Sequence, residues 1–331
     1  MRAQILRHPA PIENRPLQPA DLPIPTLGPG QVRLRVKACG VCHTDLHTVE
    51  GDLPLPRLPV VPGHQVVGEV DALGEGVTEF EPGQRLGVVW LYRTCGECDY
   101  CRSGRENLCE RALFTGYSVD GGYAEYMVVD AAFAYAIPVS LPDEQVTPLL
   151  CGGVIGYRAL KLSEVKPGQV LGLYGFGNSA HITIQVARHW NCRVFVFTRS
   201  AGHQEHAREL GAAWVGGPAD TPPEGLDAAI IFAPAGELVP TALRVLKPGG
   251  TIALAGIHMS SIPEMPYSLL YRERTVRSVA NSTRQDAREL LELAAEIPIR
   301  TDVTVFPLEQ ANEVLLAMKE SRFKGDAVLV P

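Results

Sequence analysis

Val170-Leu171-Gly172-Leu173-Tyr174-Gly175-Phe176-Gly177-Asn178-Ser179-Ala180 reads as a strand, a tight turn and the opening of a helix. The apolar run has the length of a buried strand, and the G-x-G-x-x-A pattern after it is the phosphate-binding fingerprint of dinucleotide-binding α/β folds. Each small residue has a task. Gly175 permits the turn, Gly177 lets backbone approach a pyrophosphate held at the helix N-terminus, and Ala180 lets the helix pack on the strand. Roughly 20 residues on, such a site for NAD(H) places Asp or Glu against the ribose 2′-OH. Thr198 and Arg199 stand there instead. With no carboxylate to repel a 2′-phosphate and a guanidinium to pair with it, NADP(H) is favoured over NAD(H).

Downstream of the fingerprint, strands alternate with helices. A helix is expected from about Ala180 to Trp190, a strand at Val194–Phe197 and a helix from about His203 to Leu210. Strands follow at Ala228–Phe232 and Thr251–Ala255, and the alternation ends near Arg277–Asn281. This βαβ rhythm predicts a doubly wound parallel sheet. Two amphipathic helices, about Ala287–Glu296 and Leu308–Lys319, and a strand at Ala327–Val330 complete the chain. Upstream the texture differs. Residues 1 to about 150 are broken every few positions by Pro or Gly, with alternating runs such as Val32–Val36 and Tyr123–Val129 between them. Such punctuation predicts short strands of a sheet or barrel, with the change of texture near Pro148.

The 331 residues are 46% hydrophobic and 20% charged, which excludes a disordered chain and suggests two domains. A net charge of −7 without a Lys/Arg cluster argues against nucleic-acid or anionic-membrane partners. Neither a spanning apolar run nor a signal-peptide core is visible, so a cytoplasmic protein is expected.

Thiols in that compartment stay reduced, so clustered cysteines read as metal ligands before disulfides. Four lie in the run Cys95-x2-Cys98-x2-Cys101-x7-Cys109. Four thiolates close a tetrahedron around zinc and leave no position for chemistry, which is a structural site. An iron–sulfur cluster is the other reading. A ferredoxin run spaces its ligands differently and usually carries Pro after the last Cys, where Glu110 stands here.

Cys39-Gly40-Val41-Cys42-His43-Thr44-Asp45-Leu46-His47, Pro62-Gly63-His64-Gln65-Val66-Val67-Gly68 and Cys151-Gly152-Gly153-Val154-Ile155-Gly156-Tyr157 flank the four-Cys run. Together with the Gly-rich turn, and in this order, they resemble the zinc-dependent alcohol dehydrogenases of the medium-chain dehydrogenase/reductase family, over essentially the whole chain. The resemblance implies a GroES-like β-rich catalytic domain (1–152 and 281–331) and an inserted Rossmann domain (153–280), with substrate in the cleft between them. It implies a catalytic zinc held by Cys42, His64 and Cys151, besides the structural zinc of Cys95, Cys98, Cys101 and Cys109, one of each per subunit. Three protein ligands leave the open position a catalytic zinc needs. There zinc acts as a Lewis acid on an alcohol, which yields hydride to the nicotinamide and becomes an aldehyde.

By the same resemblance Thr44 takes the alcohol proton and passes it by way of the cofactor ribose to His47. Asp45 holds the other ring nitrogen of His64 and fixes its tautomer, and His43 lies near the pyrophosphate. Three departures touch the cofactor side. Gln65 replaces the usual Glu after the ligand His. Ile155 replaces a Thr that contacts nicotinamide. Gly325-Asp326 replaces a Gly-Arg whose Arg meets pyrophosphate, so that role passes to Lys324 or Arg322 or goes unfilled.

Trp90 occupies a substrate-pocket position of microbial relatives, although Trp is as often simply core. Leu53 stands where those relatives carry a second Trp. The smaller side chain predicts a wider pocket, for longer aliphatic or aromatic primary alcohols and their aldehydes. The resemblance also implies a homo-oligomer, dimer or tetramer. Two competing readings make separate predictions. A zinc-free quinone or enone reductase of the same superfamily holds no metal, and a non-catalytic zinc-binding module binds no nicotinamide. Of the remaining residues, His203 and His206 read as a solvated helix face, Cys39 and Cys192 as buried small side chains, and His8, His181, His189 and His258 carry no pattern.

Overall fold

The computed structural model describes residues 1–322 and 325–331. The opening residues form a two-stranded antiparallel ribbon, β1 (Arg2–Leu6) and β2 (Leu17–Asp21). Then come β3 (Gln31–Val41), α1 (His43–Glu50), β4 (Gln65–Leu73), β5 (Arg85–Val88) and β6 (Leu91–Arg93). The four-Cys segment carries one helical turn, α2 (Asp99–Arg102), before β7 (Leu113–Phe114), β8 (Tyr126–Asp130), β9 (Ala134–Ala136) and α3 (Asp143–Val146).

The nucleotide-type segment runs α4 (Gly152–Ser163), β10 (Val170–Tyr174), α5 (Asn178–His189), β11 (Arg193–Phe197), α6 (Ala201–Glu209) and β12 (Trp214–Gly216). It continues through β13 (Leu226–Ile231), α7 (Leu238–Val245), β14 (Leu246–Leu254) and β15 (Thr275–Ser278). The chain then returns through α8 (Arg284–Glu296), β16 (Val303–Pro307), α9 (Ala311–Lys319) and β17 (Asp326–Val330).

Two compact units result: Met1–Cys151 with Asn281–Glu296 and Arg300–Pro331, and Gly152–Ala280 with Ile297–Ile299. The first change of unit falls between Cys151 and Gly152, one residue earlier than the sequence suggests, because Gly152 already opens α4.

In the first unit β16-β17-β3-β4-β5-β9 form one sheet, with β8 also paired to β3. Among the described residues of this sheet, only the β16–β17 pair is parallel. Alternating residues of β3 point inward, and Val32, Leu34 and Val36 are buried with Leu86, Met127 and Leu329 in one apolar core. β3 carries Cys39, Gly40 and Val41 to the mouth of α1, so the sheet sets where that helix starts.

In the second unit the strand order is β12-β11-β10-β13-β14-β15, every neighbouring pair parallel. This order is that of the doubly wound dinucleotide-binding sheet. Val170, Phe195, Phe197, Leu226, Ile231 and Ile252 share its buried core.

Boundaries differ from expectation where caps act. α5 starts at Asn178, two residues before Ala180, directly after Gly177 in extended backbone. α6 starts at Ala201 because the Ser200 side chain accepts the His203 N–H. α7 has no counterpart in the sequence reading. Its Pro240 breaks the apparent helical pattern but lies in the first turn, where no backbone N–H is needed. The expected helix Leu308–Lys319 opens as a 3-10 turn, Leu308–Gln310, before α9.

Candidate active site

α1 begins on Cys42. Its Sγ accepts the Thr44 N–H at 3.3 Å, while the Asp45 carboxylate accepts the Cys42 N–H at 2.9 Å, a reciprocal capping box. The thiol at this cap faces the positive end of the helix, which favours its thiolate. His64 follows Gly63, whose φ of +94° a side chain would strain; a Cβ there would also meet Tyr123 Cδ1 at 2.4 Å. This turn aims the buried imidazole at the cap. Nδ1 of His64 lies 3.1 Å from Asp45 Oδ1, which also accepts the Gly63 N–H.

Nε2 of His64 lies 3.4 Å from Cys42 Sγ and 3.3 Å from Cys151 Sγ, with the two sulfurs 4.0 Å apart. Tetrahedral zinc with N and S ligands has edges of roughly 3.6–3.8 Å, so the triangle suits the ion closely. Two thiols and an imidazole also form the soft donor set zinc accepts while one position stays open.

The electrostatics follow. The hydrogen bond from Cys151 holds the Cys42 thiol well below the usual range, with help from the His64 charge, and that same bond raises Cys151. Burial opposes charge on His64, yet Asp45 and Cys42 together raise it well above the usual imidazole value. Burial raises Asp45 in turn, against the attraction of His64. A divalent cation would replace the shared proton among these donors.

The second cluster is Cys95, Cys98, Cys101 and Cys109, whose sulfurs all lie within 4.8 Å of one another. Cys98 N–H donates to Cys95 Sγ at 3.4 Å, and the Cys98 and Cys101 sulfurs are 3.5 Å apart. The remaining thiols behave as packing groups. Cys39 and Cys192 are buried, each with Sγ 3.6 Å from a carbonyl oxygen, that of Gly40 and of Lys166.

Thr44 and His47 share α1, three residues apart and so on one face, with His47 Nδ1 2.8 Å from Asp52 Oδ2. His43 is exposed at the first position of the helix. Gln65 is buried with its Nε2 unbonded among the described residues, and its Oε1 packs against Gly40. Ile155 is half-buried on α4. Asp326 is pushed up to about 8 by burial and by the charges of Cys42 and Asp302. Arg322 pairs with Glu320, and Lys324 lies outside the described residues.

Trp90 meets the His64 ring edge-on, centroids 5.1 Å apart. It stacks on Phe114 at 5.1 Å and tilts against Tyr117 at 5.6 Å, so Trp90 walls one side of the imidazole and is itself backed by two further rings. Tyr117 OH donates to the Pro54 carbonyl at 2.6 Å, anchoring the wall beside half-buried Leu53. Phe114 and Tyr117 carry no sequence signal. The β6–β7 pairing, which sets Leu91 opposite Phe114, brings them to Trp90.

In the second unit, Gly175 has φ +85°, and a Cβ there would meet the Ala233 nitrogen at 2.9 Å. Gly177 differs: a Cβ there would meet nothing within 4 Å. Its lack of a side chain therefore serves open space above the first turn of α5, which is where a pyrophosphate fits. Ala180 is fully buried. Thr198 is buried at the end of β11, donating its N–H to Gly216 O and accepting from Gln204 Nε2, while Arg199 is exposed.

Comparison with known proteins agrees with this geometry. Residues 28–139 match the alcohol dehydrogenase GroES-like domain family, and residues 180–296 match the zinc-binding dehydrogenase family. The chain is 47% identical over its whole length to "Probable alcohol dehydrogenase AdhA" of Mycobacterium tuberculosis, covering 97% of that protein. It is 38% identical to an alcohol dehydrogenase of Geobacillus stearothermophilus, with 96% of each chain covered. Among solved structures, AibC superposes with a TM-score of 0.93 at 28% identity, covering 100% of this chain and 96% of AibC. A structure described as an NAD-dependent alcohol dehydrogenase superposes at 0.89 and 28%, with both chains fully covered.

The chain belongs to the zinc-dependent alcohol dehydrogenases of the medium-chain dehydrogenase/reductase family. It is an NAD(P)-dependent oxidoreductase of alcohols and aldehydes, built from a GroES-like and a Rossmann fold, and zinc and a nicotinamide dinucleotide are its cofactors. The zinc-free reading and the non-catalytic module are not favoured. No helix among the described residues is long and apolar enough to cross a membrane.

Proposed function

We propose that the chain interconverts primary alcohols and aldehydes at a zinc ion held by Cys42, His64 and Cys151, with a second, structural zinc on Cys95, Cys98, Cys101 and Cys109. The observation that carries this reading is the buried triangle of two thiols and one imidazole, backed by Asp45. Bound zinc supplies a Lewis acid that lowers the pKa of an alcohol hydroxyl, and the nicotinamide supplies the hydride acceptor.

The chain's own residues supply the rest. Asp45 fixes His64 with its proton on Nδ1, which leaves Nε2 as the donor atom. Thr44 accepts the substrate proton, and His47, half-buried on the same helix face and steadied by Asp52, releases it to water. The wall of Trp90, Phe114 and Tyr117 keeps water from one flank of the site and offers a flat apolar surface. That surface, beside Leu53, supports aromatic and longer aliphatic primary alcohols as substrates. His43 is proposed to meet the cofactor pyrophosphate, with Gly175, Gly177 and Ala180 forming the cradle. Thr198 and Arg199 support NADP(H) over NAD(H), because the exposed guanidinium meets no carboxylate there.

The reading extends to a cytoplasmic homo-oligomer, dimer or tetramer. Six of the eight cysteines gather as donor clusters rather than as disulfides, which fits a reducing compartment. Near the edge strand β15, Tyr267 and Tyr271 are 73% and 61% exposed, an apolar pair suited to a second copy. Light scattering that gives a monomer mass overturns that part.

The central test joins metal analysis to turnover of a panel of alcohols with each cofactor, for the wild type and Cys42→Ser. About two zinc ions per chain are expected, and about one in the variant. Ser is also a good N-cap, so the variant should keep its fold while losing alcohol oxidation. Retained turnover in Cys42→Ser overturns the assignment.

A further inference from the structure

His181 lies on α5, and His203 and His206 lie on α6, too far apart in sequence to suggest a group. Parallel pairing of β10 with β11 sets the first turns of the two helices side by side. The His181 and His206 rings are 4.6 Å apart, and those of His181 and His203 are 6.0 Å apart, both nearly perpendicular. Phe176, inside the Gly-rich fingerprint, packs on His181 at 4.7 Å and on His206 at 6.3 Å. His181 Nε2 also lies 3.0 Å from the Phe176 carbonyl oxygen. The trio is thus built onto the dinucleotide loop itself, next to the end of β11 where Arg199 stands.

The trio does not form a ready chelate. Among the described residues, only the two cysteine-containing clusters bring three or more donor atoms within mutual reach. Its chemistry is that of titratable donors, two of them on the helix that follows Arg199 in the chain. His203 is exposed, and its ring has no hydrogen-bond partner among the described residues. Arg199 likewise has no ion pair among them. Around the cluster, α6 presents Glu209, which lies 3.1 Å from His206 Nδ1. The loop before α6 presents Arg199, α5 presents His181, and the fingerprint Gly175–Ala180 brings no charge.

Resting on the cofactor reading above, we propose that His203, across from His181 and on the same helix as His206, joins Arg199 in a subsite that binds the 2′-phosphate of NADP(H) and takes up a proton as it does so. The physical reason is the crowding of imidazoles. Partial desolvation and the nearby His206 keep His203 below the usual imidazole range, so it is neutral near pH 7 until an anion arrives. A phosphate dianion reverses that balance and draws the proton on. NADH, which lacks the phosphate, has no such effect, so the proton separates the two cofactors in a pH-dependent way.

The test is calorimetric titration of the zinc-loaded protein with NADPH and with NADH, in two buffers of different ionisation heat. At about pH 7.5 the 2′-phosphate is a dianion, since its own pKa is about 6. The expected result is uptake of roughly half to one proton with NADPH and none with NADH. NADPH affinity should weaken about fivefold to tenfold from pH 7 to about pH 8.5, with NADH flat. In His203→Gln the uptake and the pH slope should vanish, while some preference for NADPH remains from Arg199. NADPH bound more tightly than NADH without proton uptake, or uptake unaltered in His203→Gln, overturns the subsite and leaves the NADP(H) reading standing. Equal binding of NADPH and NADH by the wild type overturns both.

Discussion

Asp45 Oδ1 lies 3.1 Å from Nδ1 of His64, and both side chains are almost wholly buried. The other oxygen of the same carboxylate caps the helix that starts at Cys42. One residue therefore orients two of the three donors, the imidazole directly and the thiol through the helix start. Asp45→Asn keeps the size and removes the charge. It should weaken zinc binding at the Cys42 site about tenfold to a hundredfold, read by competition with a chromogenic chelator. Unchanged affinity would show that the carboxylate only caps α1.

Arg199 is the cation nearest in sequence to the end of β11, and no acid stands beside it there. Arg199→Ala should raise the Kd of NADPH about tenfold to a hundredfold, the size of a lost charge-assisted bond, and that of NADH by less than about twofold. Fluorescence titration with each cofactor measures both. An equal effect on the two would rule out a 2′-phosphate role.

With no metal bound, the four-Cys cluster is uneven. Backbone N–H groups of Glu97 and Cys98 lower the Cys95 thiol to about 6. Against the backbone N–H of Cys101, desolvation and hydrogen bonding to its neighbours push Cys98 up to about 11. The thiolate is the nucleophile, so at about pH 7 the chelated protein should be alkylated by iodoacetamide at Cys95 well before Cys98. Peptide mass spectrometry across pH should place half-maximal reactivity of Cys95 near 6. Equal rates at both cysteines would contradict this asymmetry.

Gly156 on α4 faces α5 so closely that a Cβ would lie 2.2 Å from Thr183 Oγ1 and 3.1 Å from the Ser179 carbonyl oxygen. Ala is the better helix former by about 1 kcal/mol, but overpacking costs about 1–3 kcal/mol, and here the neighbour is partly backbone. Gly156→Ala should destabilise the protein by about 1–2 kcal/mol in denaturant unfolding. A variant as stable as the wild type would mean the two helices can separate freely.

What the sequence reveals depends on whether a signal is local. β10 and the fingerprint are continuous in the chain, so strand, turn and helix are legible at Val170–Ala180. Cys95 to Cys109 lie in one short run, so their convergence is legible too. Cys42, His64 and Cys151 are scattered along the chain, so only the family resemblance joins them in the sequence, while the fold sets them side by side. Phe114 and Tyr117 are not legible because a two-residue strand and the turn after it bring them to Trp90. The histidine trio is hidden for a related reason. His181 sits on one helix and His203 and His206 on the next, and i,i+3 spacing alone cannot show what a neighbouring helix brings.

β17 lies against β3 with Ala327 opposite Val41, Val328 opposite Gly40 and Leu329 opposite Cys39, immediately ahead of Cys42. The strand bracing that segment is therefore synthesised only after the entire Gly152–Ala280 unit has left the ribosome. During translation the second unit can fold first, while Cys42 and His64 wait on an incomplete sheet. On the proposed zinc assignment, a chain truncated before β17 should emerge with its nucleotide half formed and the Cys42 site unable to take up its ion.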